Sequence, residues 1–233
     1  MARRVKPLPA GEEKARAVRG MFDAIAPRYD TVNRIMTFGM DRGWRRRAAA
    51  TLGLDRGATV LDIACGTGDF CVEIERRGWR AIGLDFAGEM LARAKERGVP
   101  RLVHGDALAL PVADGSVRGI TCGFALRNVS DLGRLFDEMA RVLEPGGRIA
   151  LLETAEPRNV VLRAGHAVYF KRMVPLIGGL LSNRDAYAYL PRSIVYLPDP
   201  AEMLGMLERA GFTEVSRIAP GGGIVQILVG TRA

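Results

Sequence analysis

The residues best suited to do chemistry form one eight-residue run, Asp62-Ile63-Ala64-Cys65-Gly66-Thr67-Gly68-Asp69, joined by two acids downstream, Asp85 and Asp106. Glycines between a strand and a helix let the backbone approach a ligand closely, and the next helix offers free N–H groups at its start. Two glycines alone are a weak sign. Their spacing is not GxGxxG, and no lysine follows as a phosphate-cradling loop requires, which disfavours a nucleoside triphosphate. Asp85 stands 19 residues after Gly66 at the end of an expected strand, where a carboxylate can bond both hydroxyls of a ribose. Asp106, in His104-Gly105-Asp106-Ala107, follows a third expected strand and can meet an adenine amino group. Each acid has a structural alternative: Asp85 as a helix cap, Asp106 as a turn residue, Asp62 as a buried acceptor. Three acids at the ends of three neighbouring strands nevertheless describe one crevice; NAD stays open on Asp85 alone, with the glycine spacing and Pro145-Gly146-Gly147 against it.

Holding them there takes strands and helices in alternation. Strands are expected at residues 58–63, 80–85, 101–104, 119–124 and 148–153, with helices at 70–77, 87–97 and 131–143, the last stopped by Pro145-Gly146-Gly147. Such alternation implies βαβ crossovers and a parallel sheet covered on both faces. A helix at 201–210, stopped by Gly211, precedes two closing strands near 214–218 and 224–229. The expected fold class is therefore α/β, a doubly wound and mostly parallel seven-stranded sheet in a single domain. Residues 12–52 read as an N-terminal helical cap interrupted at Pro27 and Gly39, with Asp41 as an N-cap. Residues 58–156 form the ligand-binding core, 157–198 a lid or substrate insert rich in Met, aromatics, Gly and Pro, and 199–231 the closing helix and strands.

Composition excludes other classes. The chain has 233 residues, 48% hydrophobic and 26% charged, enough to bury a core without staples. The longest apolar run, 173–181, falls short of the ~18 residues a membrane-spanning helix needs. Cys65, Cys71 and Cys122 form no CxxC pair, and the histidines are His104 and His166 alone, so a metal cluster is not expected and a reduced, intracellular protein is. The basic start lacks an apolar stretch behind it and is not expected to be a signal peptide. Of a net charge of +8, residues 1–56 hold 13 Lys and Arg against 6 acids, and the remainder 21 against 20. A nucleic acid, an anionic membrane, an anionic ligand or plain solvation could each account for that surplus. Nucleic acid predicts stacking aromatics among the arginines, and only Trp44 is there, so no nucleic-acid partner is expected.

The acid, the alternating glycines and the acids that follow resemble the adenosylmethionine-binding pattern of class I methyltransferases. Further stretches are more specific: Phe22 to Ala26 with Tyr29-Asp30, Asn33-Arg34-Ile35-Met36-Thr37-Phe38-Gly39, Arg42-Gly43-Trp44, and Leu126-Arg127-Asn128-Val129-Ser130-Asp131 with Glu138. Arg141-Val142-Leu143-Glu144-Pro145-Gly146-Gly147, Tyr189-Leu190-Pro191-Arg192-Ser193-Ile194, Ala210-Gly211-Phe212 and Gly222-Gly223-Ile224-Val225 extend the match. Over about residues 15–231 the chain resembles the ubiquinone/menaquinone biosynthesis C-methyltransferases. The resemblance implies methyl transfer from S-adenosylmethionine to a ring carbon of a polyprenylated quinol, demethylmenaquinol first. The benzoquinol of ubiquinone synthesis (or both quinols) is the alternative, and an RNA methyltransferase a remote one. The family's cofactor positions fall on Thr67, Asp85, Asp106 and Ala107, and the candidate cofactor set is completed by Asp62, Gly66, Gly68 and Gly123. The sequence departs from the family at Gly123, often Ser, at Ala125, often Gly, and at Leu228, often His.

A quinol ring becomes strongly nucleophilic at carbon once a hydroxyl loses its proton, so the site must favour a phenolate, align ring and methyl, and exclude water. The resemblance and their position make Arg127, Asn128 and Tyr29 the catalytic candidates. Arg127 is cast as a stabiliser of the phenolate, with a salt bridge to Asp131 or Glu138 as its structural alternative. Asn128 and Tyr29 would bond ring oxygens or an ordered water. His104 reads as structural and His166 as a base within the lid. Residues 160–181 read either as a core-packing helix pair or as a lid receiving the prenyl tail on Phe170, Met173 and Leu176. A lipid-dissolved substrate makes a peripheral membrane surface the expected partner of Arg45, Arg46, Arg47, Arg3, Arg4 and Lys6, and the inner, cytoplasmic face of the membrane the expected location. A homodimer is left open.

Overall fold

A computed structural model describes residues 11–157, 159–182, 186, 189 and 192–233. Arg3, Arg4, Lys6, Leu190 and Pro191 lie outside the described residues, as does the side chain of Phe170.

Seven strands make one sheet: β1 (Thr59–Ile63), β2 (Arg80–Asp85), β3 (Leu102–His104), β4 (Val117–Gly123), β5 (Leu143–Thr154), β6 (Phe212–Ile218) and β7 (Val225–Arg232). Their order is β3-β2-β1-β4-β5-β7-β6. β7 alone runs against its neighbours; the other strands share one direction. The chain leaves β1 toward β2 and β3, then crosses back to lay β4 on the other side of β1. That reversal opens a crevice beyond the carboxyl ends of β1 and β4, where ligands bind in open parallel sheets. Four of the five β1 residues are buried, as a central strand covered on both faces requires.

Helices α1 (Gly11–Ile25), α2 (Tyr29–Met36) and α3 (Met40–Ala50) precede the sheet. Pro27 shapes the short 3-10 turn between α1 and α2, and Gly39 in the left-handed region (φ 72°) separates α2 from α3. The crossovers carry α4 (Asp69–Arg76), α5 (Gly88–Glu96) and α6 (Leu132–Val142). The insert forms α7 (Val160–Val168), a π-helical turn (Tyr169–Met173) and α8 (Val174–Leu181), and α9 (Pro200–Arg209) packs near the closing strands.

The core has three parts. Leu135, Phe136 and Met139 of α6 and Leu207 of α9 bury one face of the sheet; Ala48, Ala49, Phe70 and Ile74 bury the other. Each large side chain fully removed from water contributes about 1.5–3 kcal/mol. A third cluster joins Ile25, Val32 and Met36 to Met90 of α5 and Val174 of α8, fastening cap and insert to the core.

Several boundaries differ from the expected ones. β5 begins at Leu143, since Leu143 pairs with Val117 before the chain bends at Gly146 and Gly147 and resumes at Arg148 opposite Gly119. Asp131 stays outside α6 and caps it, accepting from Arg134 N. Asp41 is not an N-cap: Gly39 occupies that position without a side-chain bond. Asp41 instead lies inside α3, paired at 2.8 Å with Arg45. Arg45 is likewise no part of an outer cationic face, being buried between Asp41 and Asp69; Arg46 and Arg47 are exposed.

Candidate active site

β1 runs directly into the glycine turn. Ala64 adopts φ 53° and Gly66 φ 55°, and Gly68 (φ 87°) stands just before α4. A Cβ on Gly68 would come within 2.5 Å of the Val99 side chain, whereas one on Gly66 would meet nothing within 4 Å. Gly68 therefore serves close packing, while Gly66 faces open space. Asp85, at the end of β2, clasps the turn: Oδ2 accepts from Gly66 N at 2.8 Å and Oδ1 from Ala87 N at 2.9 Å. Burial pushes its carboxyl above the ordinary range, partly offset by the backbone donors of Ala87, Gly66 and Phe86.

A cavity of about 380 Å³ opens here, lined by Ala64, Gly66, Asp85, Asp106, Ala107, Gly123 and Asn128, with α1 as one wall. Asp106 is exposed, and its Oδ1 accepts from Leu108 N at 2.9 Å in a tight turn. The Oδ1 of Asn128 is buried without a hydrogen-bond partner among the described residues. Three of the cofactor candidates do not line this cavity. Asp62 lies beneath it, accepting from Thr121 Oγ1 at 2.8 Å and from the Cys71 thiol at 3.6 Å. Burial pushes its carboxyl up to about 7. Thr67 is buried, its hydroxyl donating to Asp30 at 2.6 Å, and Gly68 packs against Val99. His104 stays outside, with Nε2 3.0 Å from the Phe86 carbonyl.

A second cavity, about 400 Å³, has mostly apolar walls from Phe22, Ile25, Met36, Trp44, Val174 and Ile224. Its polar walls include Tyr29, Arg45, Arg127, Thr154 and His166. Phe22, Tyr29 and Phe124 line both cavities, so the two meet at these rings. Phe124 follows β4 with φ 58°, so residues just past β1 and β4 both hold a left-handed backbone unusual without glycine, a form of strain typical of functional sites. Burial pushes the Tyr29 hydroxyl up, partly offset by Arg45, Asn33 and Arg127, so it remains a proton donor at neutral pH. His166 is pushed down by burial and is neutral there.

Arg127 does not pair with either acid that its sequence neighbourhood offered. Asp131 caps α6 and Glu138 binds Arg141 and the Leu110 N–H. The partner is Glu153 at the end of β5, buried and ion-paired to Arg127 Nη1. Arg127 Nε is buried with no partner among the described residues. The insert is also arranged differently from the expected tail contacts. Val161, Leu162, His166, Tyr169 and Val174 line the apolar cavity, whereas Met173 and Leu176 are exposed. Tyr169 OH donates to the Met36 carbonyl at 2.6 Å and fixes the insert to α2.

The model of the ubiE/COQ5 methyltransferase family matches residues 10–232. The chain belongs to that family. It is 43% identical over 237 residues to a demethylmenaquinone methyltransferase of Roseiflexus castenholzii, covering 97% of each chain. It is 38% identical to a protein of Geobacter sulfurreducens named ubiquinone/menaquinone biosynthesis C-methyltransferase UbiE, covering 94% of this chain and 90% of that one. Among solved structures, a SAM-dependent methyltransferase of Thermotoga maritima superposes with a TM-score of 0.66 at 20% identity, over 93% of this chain and 100% of that one. At that identity the likeness speaks for the fold.

In this ubiE/COQ5-family methyltransferase, one departure from the family pattern has a local cause. A Cβ on Gly123 would lie 2.7 Å from the Phe70 ring, so Phe70 fills the space a serine would use. Sequence reasoning also missed the polar network that ties cap to turn. Asp30 accepts from Thr67 and pairs with Arg97 at 3.1 Å; Arg97 reaches the Thr67 carbonyl at 2.9 Å and Asp69 at 2.7 Å. Asp69 continues to Arg45 at 3.6 Å. The Tyr29-Asp30 stretch was the available signal, but its partner Thr67 lies 37 residues away.

Proposed function

We propose that the chain transfers the methyl group of S-adenosylmethionine to a ring carbon of a polyprenylated quinol, with demethylmenaquinol as substrate and menaquinol as product. The observation that carries this reading is the meeting of a glycine-walled cavity, the more polar of the two through Asp85, Asp106 and Asn128, and an apolar one at Tyr29 and Phe124, with Arg127 on the apolar side. The residues of the polar cavity fit the cofactor. Asp85 offers carboxylate lone pairs to ribose hydroxyls, Gly66 leaves room for close approach, and the unpartnered Asn128 Oδ1 is an acceptor for a cationic or N–H donor. When bound, the cofactor supplies an electrophilic methyl group on a sulfonium.

The chain's own residues do the rest. Arg127 stabilises the ring as phenolate, its Nε being a buried donor that no described residue takes. The neutral His166 imidazole in the same cavity accepts the hydroxyl proton, and after methyl transfer, which leaves the sulfur as a thioether, the ring carbon releases its own hydrogen as a proton to restore aromaticity. A preorganised donor of this kind acts at little reorganisation cost in a site that excludes water. Tyr29, kept protonated, donates to a ring oxygen at the junction. Phe22, Phe124 and Trp44 hold the ring against the polar cavity and keep water from the methyl. The insert acts as a lid, Val161, Leu162 and Val174 receiving the first prenyl units.

The substrate dissolves in lipid, so the enzyme works against the inner face of the cytoplasmic membrane. The choice of naphthoquinol over benzoquinol follows the 42–43% identical relatives, which carry the demethylmenaquinone name. The test offers labelled S-adenosylmethionine with reduced demethylmenaquinone, with a demethylated benzoquinol, or with bulk RNA. Label is expected in the naphthoquinol. Label in the benzoquinol alone would move the substrate, and label in RNA alone would overturn the reading.

A further inference from the structure

Among the described residues, all eleven exposed large apolar side chains fall in two segments, 35–40 and 160–181. Isolated exposed apolar residues are ordinary, but a concentration of this kind marks a surface made for a partner. Phe38 (75% exposed), Val161 (79%) and Leu180 (77%) are its most prominent members. The segments are one surface: the Phe38 and Tyr169 rings are 6.0 Å apart, and Tyr169 is bonded to the Met36 carbonyl. Phe38 has φ 51°, so the turn between α2 and α3 holds a large apolar ring outward in a conformation such residues rarely adopt.

Charge decides what covers this surface. Residues 160–181 contain no Asp or Glu, and the one acid among 31–50, Asp41, is buried against Arg45. The same segments expose Arg34, Arg42, Arg46, Arg47, Arg163 and Arg172. An apolar patch whose own segments expose cations and no acid, with Glu156 flanking the start of α7, complements an anionic lipid surface. A second copy paired through this same face would set arginines against arginines, with no exposed acid of either segment to offset them. No described helix is long and apolar enough to cross a membrane, so contact with a bilayer through this surface would lay α7 and α8 along it rather than across it. The surface also continues inward, because Phe38, Met40, Val161 and Leu162 line the apolar cavity as well.

We propose that Phe38 and the outward side chains of α7 and α8 insert into the headgroup–acyl boundary of an anionic bilayer, so that the apolar cavity opens directly into lipid. Its second clause rests on the quinol reading: the prenyl tail passes from bilayer to cavity without crossing water. The docking itself needs no substrate. Docking thus moves from the arginine run expected in the sequence to an apolar surface in which arginines are the accompaniment.

The test is sedimentation of the chain with vesicles of phosphatidylcholine alone and of phosphatidylcholine mixed with phosphatidylglycerol. Binding is expected to the mixed vesicles and to weaken as salt screens the arginines. Val168→Asp combined with Leu180→Asp, two exposed positions outside both cavities, is expected to lower vesicle affinity by about tenfold or more. Binding of S-adenosylmethionine and turnover of a tail-less quinol in free solution should be unchanged. Wild-type affinity in this variant, or no binding of the wild type to mixed vesicles, overturns the proposal. So does a dimer in solution that the same substitutions dissociate, which would assign the surface to a second copy. A chain that binds vesicles yet methylates no quinol would refute the quinol reading and leave the docking face standing.

Discussion

Replacing Glu153 with Gln removes a charge and keeps the shape, leaving Arg127 buried without its counter-ion. Glu153 is fully out of solvent and Arg127 nearly so. Besides Arg127 Nη1, the carboxylate accepts from Arg127 N at 3.3 Å, Thr154 N at 2.7 Å and Thr154 Oγ1 at 3.2 Å. Breaking one side of a buried pair costs about 3–5 kcal/mol, because the surviving charge stays desolvated. For a chain of this length, that lowers the melting temperature by roughly 6–20 °C. Removing both charges, as in Glu153→Gln with Arg127→Met, should restore much of the loss, with a coupling of at least about 2 kcal/mol. The assay is urea unfolding of wild type, both single variants and the double variant, comparing midpoints at constant slope. A loss below about 1 kcal/mol in Glu153→Gln, or a double variant as unstable as the singles summed, would refute the claim that Arg127 depends on Glu153 for its charge balance.

Arg127→Ala, assayed at a temperature where it remains folded, should lower turnover by about 10²–10³ while S-adenosylmethionine affinity measured by calorimetry barely changes, since Arg127 lines the apolar cavity and not the polar one. Gly123→Ser should cost about 1–3 kcal/mol by overpacking against Phe70, visible as a lower urea midpoint, and Phe70→Leu in the same chain should relieve it. Asp62 has a folded carboxyl near pH 7 against an ordinary 3.8. The folded state holds that proton longer, so its contribution is full below pH 3.8 and is lost as pH rises to about 7. Asp62→Asn cannot ionise, and its stability relative to wild type should rise by up to about 4 kcal/mol across that window; parallel pH profiles of the two unfolding midpoints would count against it.

Local pattern carried the sheet. Continuous apolar runs such as Val60 to Ile63, followed by glycine turns, locate buried parallel strands, because the side chains of a central strand meet apolar neighbours on both faces. Breaks at Pro27 and Gly39 were legible for the same reason: each residue constrains its own backbone whatever surrounds it. Pairings across the fold were not legible. Glu153 follows Arg127 by 26 residues and meets it only because β4 and β5 lie side by side. Asp62 had two readings, cofactor contact or buried acceptor, and the structure shows the second: its register beside Thr121 on β4 makes it accept from Thr121 and Cys71 under the turn. The tail contacts failed on helical phase. Around the π-helical turn, Val174 faces inward and Met173 and Leu176 outward, and an almost uniformly apolar run gives no contrast from which to read which side is buried.

The position of β7 bears on how the chain reaches its native state. β7 follows β6 in the chain but lies between β5 and β6 in the sheet, so β6 has no strand to join until β7 exists. Through synthesis of the seventy residues between β5 and β7, the outer edge of β5 has no partner among the described strands. An unpaired apolar edge in a partly folded chain invites pairing with another chain. The arrangement therefore predicts late completion, a strong dependence of soluble yield on synthesis temperature and chaperone supply, and little tolerance for losing residues from β7.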